Sequence, residues 1–113
     1  MSKRNPKLLL ADISDAVEKI KKYTEGLTYN TFMEDSKTLD AVIRNFEIIG
    51  EAANKLPDEF KEKYQTVDWF RIIGFRNRIV HDYMGIDYKI VWTIIQNDID
   101  KLLSDIENIF INI

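Results

Sequence analysis

Apolar residues recur along this chain in steps of three and four, the spacing that lines one face of an α-helix. In the first segment Leu9, Ile13, Val17, Ile20 and Leu27 keep that step, Ala16 shares their face, and Gly26 offers a stop. The stretch "TYNTFMEDS" reads as a connection or one short helical turn, with Thr31 and Glu34 spaced as a capping box. A second long helix carries Leu39, Val42, Ile43, Phe46, Ile49, Ala53 and Leu56. Pro57 ends it or opens the next short turn, "PDEFKEKY", because proline fits a helix only in its first turn.

A third helix, capped by Asp68 or Thr66, sets Trp69, Ile72, Ile73, Val80 and Tyr83 in one stripe and finds a C′ residue in Gly85. Asp87 caps the last helix, whose stripe is the cleanest: Tyr88, Val91, Trp92, Ile95, Ile99, Leu102, Leu103, Ile106 and Phe110. No alternating strand pattern, internal repeat or low-complexity tract interrupts the reading. Four long helices with short connections predict an all-α, antiparallel up-and-down bundle. Residues 1–113 are expected to form a single domain, a length that buries roughly two thirds of the unfolded surface.

Within the second helix, "IIGEAAN" places Gly50, Ala52 and Ala53 in one turn. A mid-helix glycine costs about 1 kcal/mol relative to alanine. Small residues there are expected to let another helix approach closely.

Composition narrows the class. Hydrophobic residues at 45% and charged residues at 31% describe an ordinary soluble globular protein. The absence of cysteine excludes a disulfide framework and any thiolate metal site, and it suits the cytoplasm. The start, "MSKRNPKLLLADISDAV", has an apolar run that breaks at Asp12, too early for a signal peptide. No run approaches the ~18 residues of a membrane span. A net charge of −3 argues against a non-specific nucleic-acid coat, so any RNA contact must be local. From Trp69 to His81 the chain carries Arg71, Arg76 and Arg78 and no acid. A solvated helix face is the plain alternative for such a run.

The segment "RNRIVHDY", Arg76 to Tyr83, holds the only histidine of the chain. Arg76 sits where the apolar stripe calls for a hydrophobe, so it should face an anion, a wet cleft or a carboxylate such as Glu47 or Glu51. At about 100° per residue, His81 points roughly 140° away from Arg76. Asn77 and Arg78 share the face of His81. Two arrangements stay open: the helix loosens towards Gly85, or a second copy of the chain completes the site. The second has a chemical attraction. RNA cleavage without a metal needs a base for the 2′-OH and an acid for the leaving 5′-oxygen, and histidine suits both jobs near neutrality. A two-fold dimer has two histidines, and arginines hold phosphate through donors that do not deprotonate. A structural histidine with its bonds satisfied is the competing reading of His81.

Arg76, four spacers, His81, one spacer, Tyr83 resembles the motif of the HEPN superfamily, specifically its HepT-like toxins. Nearly the whole chain is similar to that family: "IIGEAANKL" in the second helix, "DWFRIIGFRNRIVHDY" in the third and "GIDYKIVWTII" opening the last, in the expected order. The resemblance implies a metal-independent ribonuclease that needs no cofactor, a homodimer with the motif at a cleft between protomers. It implies the toxin of a toxin–antitoxin pair whose antitoxin is a minimal nucleotidyltransferase. By the same resemblance Arg76 and His81 are catalytic, Asn77 supports them, and Tyr83 is where the partner attaches AMP. Arg78 lies outside the family pattern and is expected only as a phosphate contact.

A reading from a different class is a non-catalytic bundle that binds a nucleotidyltransferase or presents its substrate. The intact Arg76, His81 and Tyr83 favour the nuclease; the acidic net charge leans towards the scaffold. Glu47 and Glu51, four apart, could be metal ligands, but with one histidine and no Glu-x-x-His pair a structural or arginine-paired role is expected. Asp98, Asp100 and Asp105 read as a solvated face, and the scattered glycines form no phosphate-cradling loop. The apolar "IFINI" is expected to pack in the core or a dimer seam.

Overall fold

The helices that begin at Pro6, Ser36, Trp69 and Tyr88 each start where a side chain closes the first turn. The computed structural model describes residues 5–113, the side chain of Tyr83 excepted, so the "MSKR" start lies outside the described residues. Asn5 accepts from Lys7 N at 2.8 Å and opens α1 (Pro6–Thr24). Gly26, at φ 77°, turns the chain after α1 in a backbone conformation that costs glycine nothing. The short α2 (Tyr29–Glu34) follows, then α3 (Ser36–Lys55), where Asp35 accepts from Thr38 N at 3.1 Å. Pro57 stands just before α4 (Asp58–Lys63). Asp68 accepts from Arg71 N to cap α5 (Trp69–His81), and Asp87 from Lys89 N to cap α6 (Tyr88–Asn97). The last helix is α7 (Ile99–Asn112). Each cap satisfies one of the donors that a helix start leaves unpaired.

The described residues are all-helical apart from their connections, and the bundle expected from the periodicity is there. Helix α3 packs against both α1 and α5, α1 packs against α7, and α2 touches α3 and α6. Buried apolar residues form one cluster, with Leu10, Ile13, Val17 and Ile20 from α1 meeting Val42, Ile43, Ile49 and Ala53 from α3. Ile79, Val91 and Ile106 bring in α5, α6 and α7. Among the described residues, no helix is long and apolar enough to cross a membrane.

Several local expectations are corrected. The capping box joins Thr28 and Thr31, because α2 starts at Tyr29 and Glu34 falls at its far end. The last helix is two: Asp98 breaks it after α6, although its N–H still reaches Ile94 O at 2.9 Å. Gly85 is not a left-handed C′ residue; α5 ends at His81 and Tyr83–Gly85 form a 3-10 turn, closed by Gly85 N to Asp82 O at 3.0 Å. On α5 the buried positions are Trp69 and Ile79, while Val80 is 46% exposed. Ile72 and Ile73 both pack half-buried against the core, and further along the helix it is Ile79, not Val80, that is buried. In "IFINI" only Ile109 is buried, and Ile111 is 80% exposed.

Candidate active site on α5

Helix α5 is held at its start by Trp69, a buried indole whose Nε1 donates to Tyr64 O at 2.9 Å. Phe75 adds an edge-on contact to Phe46 of α3, ring centroids 5.3 Å apart. These anchors fix the rotation of the helix, and the rotation decides where each candidate side chain goes.

Arg76 leaves α5 at the level of Gly50 on α3. A Cβ placed on Gly50 would overlap Cβ of Arg76 and come within 3.4 Å of its Cα, so the small residue is what admits the arginine stem. The Arg76 side chain is 27% exposed, and its Nη2 lies 4.0 Å from Glu51 Oε1. Its Nη1 donates to Asn77 Oδ1 at 3.1 Å. Its Nε is buried and, among the described residues, donates to no acceptor. Of the two carboxylates proposed as partners from the sequence, Glu51 is the one that meets Arg76. Arg44 spans both, with Nη1 3.7 Å from Glu47 Oε2 and 3.8 Å from Glu51 Oε1.

His81 closes the last turn of α5 and is exposed, as are Asn77 and Arg78. Among the described residues nothing holds its ring by a hydrogen bond or ion pair. The helix stays regular through His81 and loosens only at Asp82. That is one residue too late to swing the imidazole towards Arg76. Within one chain, therefore, the arginine faces α3 and the histidine faces outward. The side chain of Tyr83 lies outside the described residues.

The outward face of α5 also carries Phe70, 89% exposed, in helical register with Asn77 and His81, while Met84 just beyond is 95% exposed. On the side of α5 away from Glu51, an apolar groove of about 590 Å³ separates it from α6 and α7. Phe46, Ile72, Phe75, Ile94 and Leu102 line it, and Arg71 and Arg78 stand at its edge. The sequence reading missed this groove; its signal was the surplus of apolar residues on α6, which one stripe cannot bury. Asp98, Asp100 and Asp105, read as a solvated face, each pair with a base: Arg71 at 3.9 Å, Lys21 at 2.6 Å and Lys101 at 2.7 Å. The bond to Asp100 raises the Lys21 pKa above its ordinary value. Among the described residues no three His, Asp or Glu side chains converge as metal ligands.

Fold and site together define a class: a helical bundle that displays an arginine and a histidine, five residues apart, on one helix beside a carboxylate-lined wall. The family model described as "Ribonuclease HepT-like" matches residues 13–109, and the chain belongs to the HepT-like ribonuclease family. A Methanocaldococcus jannaschii protein named "Putative RNase" is 38% identical over 95% of this chain and 98% of its own length. A Thermococcus cleftensis protein named "Probable ribonuclease HepT" is 36% identical over 95% of this chain and 97% of its own. A Caldanaerobacter subterraneus protein, also named "Putative RNase", is 34% identical over 94% and 95%. No solved structure gives a significant match.

Proposed function

We propose that this protein is a metal-independent endoribonuclease that works as a homodimer, with Arg76 and His81 as its catalytic residues. The observation that carries the reading is the spacing of Arg76 and His81 on one helix of a HepT-like ribonuclease, with the histidine exposed and its ring unheld by any described residue. In the proposed reaction the RNA 2′-oxygen loses its proton to one imidazole and attacks the adjacent phosphorus. The P–O5′ bond breaks, the second imidazole protonates the leaving 5′-oxygen, and a 2′,3′-cyclic phosphate remains. Arg76 stabilises the charge that builds on the non-bridging oxygens, Asn77 supports it, and Arg78 contacts a neighbouring phosphate. The outward turn of His81, and the exposed Phe70 and Met84 around it, support a second copy on this face.

The same reading makes the protein the toxin of a toxin–antitoxin pair in the cytoplasm, silenced by a minimal nucleotidyltransferase. The Tyr83 oxygen would attack the α-phosphorus of ATP, releasing pyrophosphate and leaving AMP on the ring. That would add bulk and negative charge two residues beyond His81, against binding of the RNA backbone. Incubation with partner and ATP is expected to add mass in steps of one AMP, and Tyr83→Phe to abolish the gain. Arg76→Ala and His81→Ala are each expected to abolish RNA cleavage with helix content and dimerisation retained. Loss of folding in both variants would make them core residues and sink the reading. Harmless wild-type expression beside an intact fold would favour the non-catalytic scaffold.

A further inference from the structure

We infer that Glu51 is a positioning residue for Arg76, acting with Gly50 as one preformed seat for the guanidinium. The inference rests on the ribonuclease reading above and concerns how α3, which carries none of the motif, sets the motif's arginine. Gly50 leaves no room for a methyl group beside the Arg76 stem, so α3 fixes where that stem can run. The next residue, Glu51, meets Nη2 at 4.0 Å, while Asn77 takes Nη1 at 3.1 Å. Glu51 is itself tethered, because Arg44 stands 3.8 Å from the same Oε1. Nε is shut away from solvent without an acceptor among the described residues, an arrangement that persists only where the surroundings hold the group.

An ion pair this exposed, 27% and 35% at its two side chains, contributes little to folding. Its value is orientation. With Nε shut away and one N–H of each terminal nitrogen turned to Asn77 and Glu51, the second N–H of Nη1 and of Nη2 is left to meet an incoming phosphate oxygen. A carboxylate behind the arginine keeps those donors from wandering between phosphates. Displacing a catalytic group by about 1 Å costs on the order of 100-fold in rate. Glu51→Ala should therefore lower kcat by roughly ten- to a hundred-fold and leave KM nearly unchanged. Glu51→Gln, which keeps shape and an acceptor oxygen but loses charge, should recover part of the rate.

The test pairs kinetics with a readout independent of activity. In ¹⁵N-labelled protein the Arg76 Nε–H resonance, assigned by its loss in Arg76→Lys, should be protected from exchange with water. In Glu51→Ala it should exchange as fast as that of exposed Arg78. An Arg76 signal as labile as that of Arg78 in the wild type would overturn the seat. So would wild-type kcat in a folded Glu51→Ala variant. Absence of any cleavage by the wild type would instead sink the ribonuclease reading, and the exchange data would still decide the seat. Gly50→Ala tests the same wall more harshly, because α5 must move; Glu51→Ala remains the decisive variant if Gly50→Ala does not fold.

Discussion

Arg76 and Arg78 are two residues apart on α5 and chemically identical, yet one is pinned and the other is exposed. Arg76 runs along α3 past Gly50 to Glu51, while Arg78 stands exposed at the lip of the apolar groove. The same division runs the length of the helix. Its inner side carries Trp69, Ile72 and Ile79 into the bundle; its outer side shows Phe70, Asn77 and His81 to solvent. The difference teaches that the helix serves two purposes at once. One side spends apolar burial on holding the helix in register, and that register is what aims the other side.

The comparison breaks most visibly at Ile79, 1% exposed. Ile79→Ala should cost about 2–5 kcal/mol through lost burial and the cavity left behind. Urea unfolding checks this, and a loss below about 1 kcal/mol would mean that α5 is not anchored where it is drawn.

Two glycines sharpen it further. Gly50→Ala forces a methyl group into the Arg76 stem and should destabilise by about 1–3 kcal/mol. Gly74→Ala, on α5 with nothing within 4 Å of its added Cβ, should stabilise by about 0.5–1 kcal/mol by helix propensity alone. The same substitution thus has opposite signs on the two sides, read from paired thermal melts. A common sign for both would erase the distinction.

The smallest effect lies far from α5. Hydrogen bonds from Thr38 lower the pKa of Asp35, at the start of α3, below the ordinary carboxylate value. A group whose folded pKa is depressed stabilises the fold above its unfolded pKa and loses that contribution as pH falls through the folded one. Stability should therefore fall with acid below about pH 4, and Asp35→Asn should flatten that part of the curve. An unchanged pH profile in the variant would remove Asp35 from the account.

Much of this was legible in the sequence because it follows from local rules. The stripes of α1 and α3, the stop at Gly26 and the caps Asp68 and Asp87 each depend on residues within a few positions of one another. The pairing of Arg76 with Glu51 was one of two carboxylates anticipated, since a half-buried charge needs a partner on the helix it faces. What failed depended on long-range packing. Val80 and Ile79 are adjacent and equally apolar, and only the docking of α5 on α3 decides which is buried. The break at Asp98 has no glycine or proline to announce it, and Asp98 faces Arg71 across the mouth of the groove. The groove itself follows from how α5 and α6 separate, which no single stripe encodes.

RNA cleavage in excess EDTA tests most directly whether α5, with His81 on its outer face and Arg76 set against α3, carries a working nuclease motif. Purified wild-type protein should cut RNA and leave 2′,3′-cyclic phosphate ends, while His81→Ala, equally folded, should be slower by about 100-fold or more. Equal cleavage by both, or none by a folded and unmodified wild type, would contradict the account.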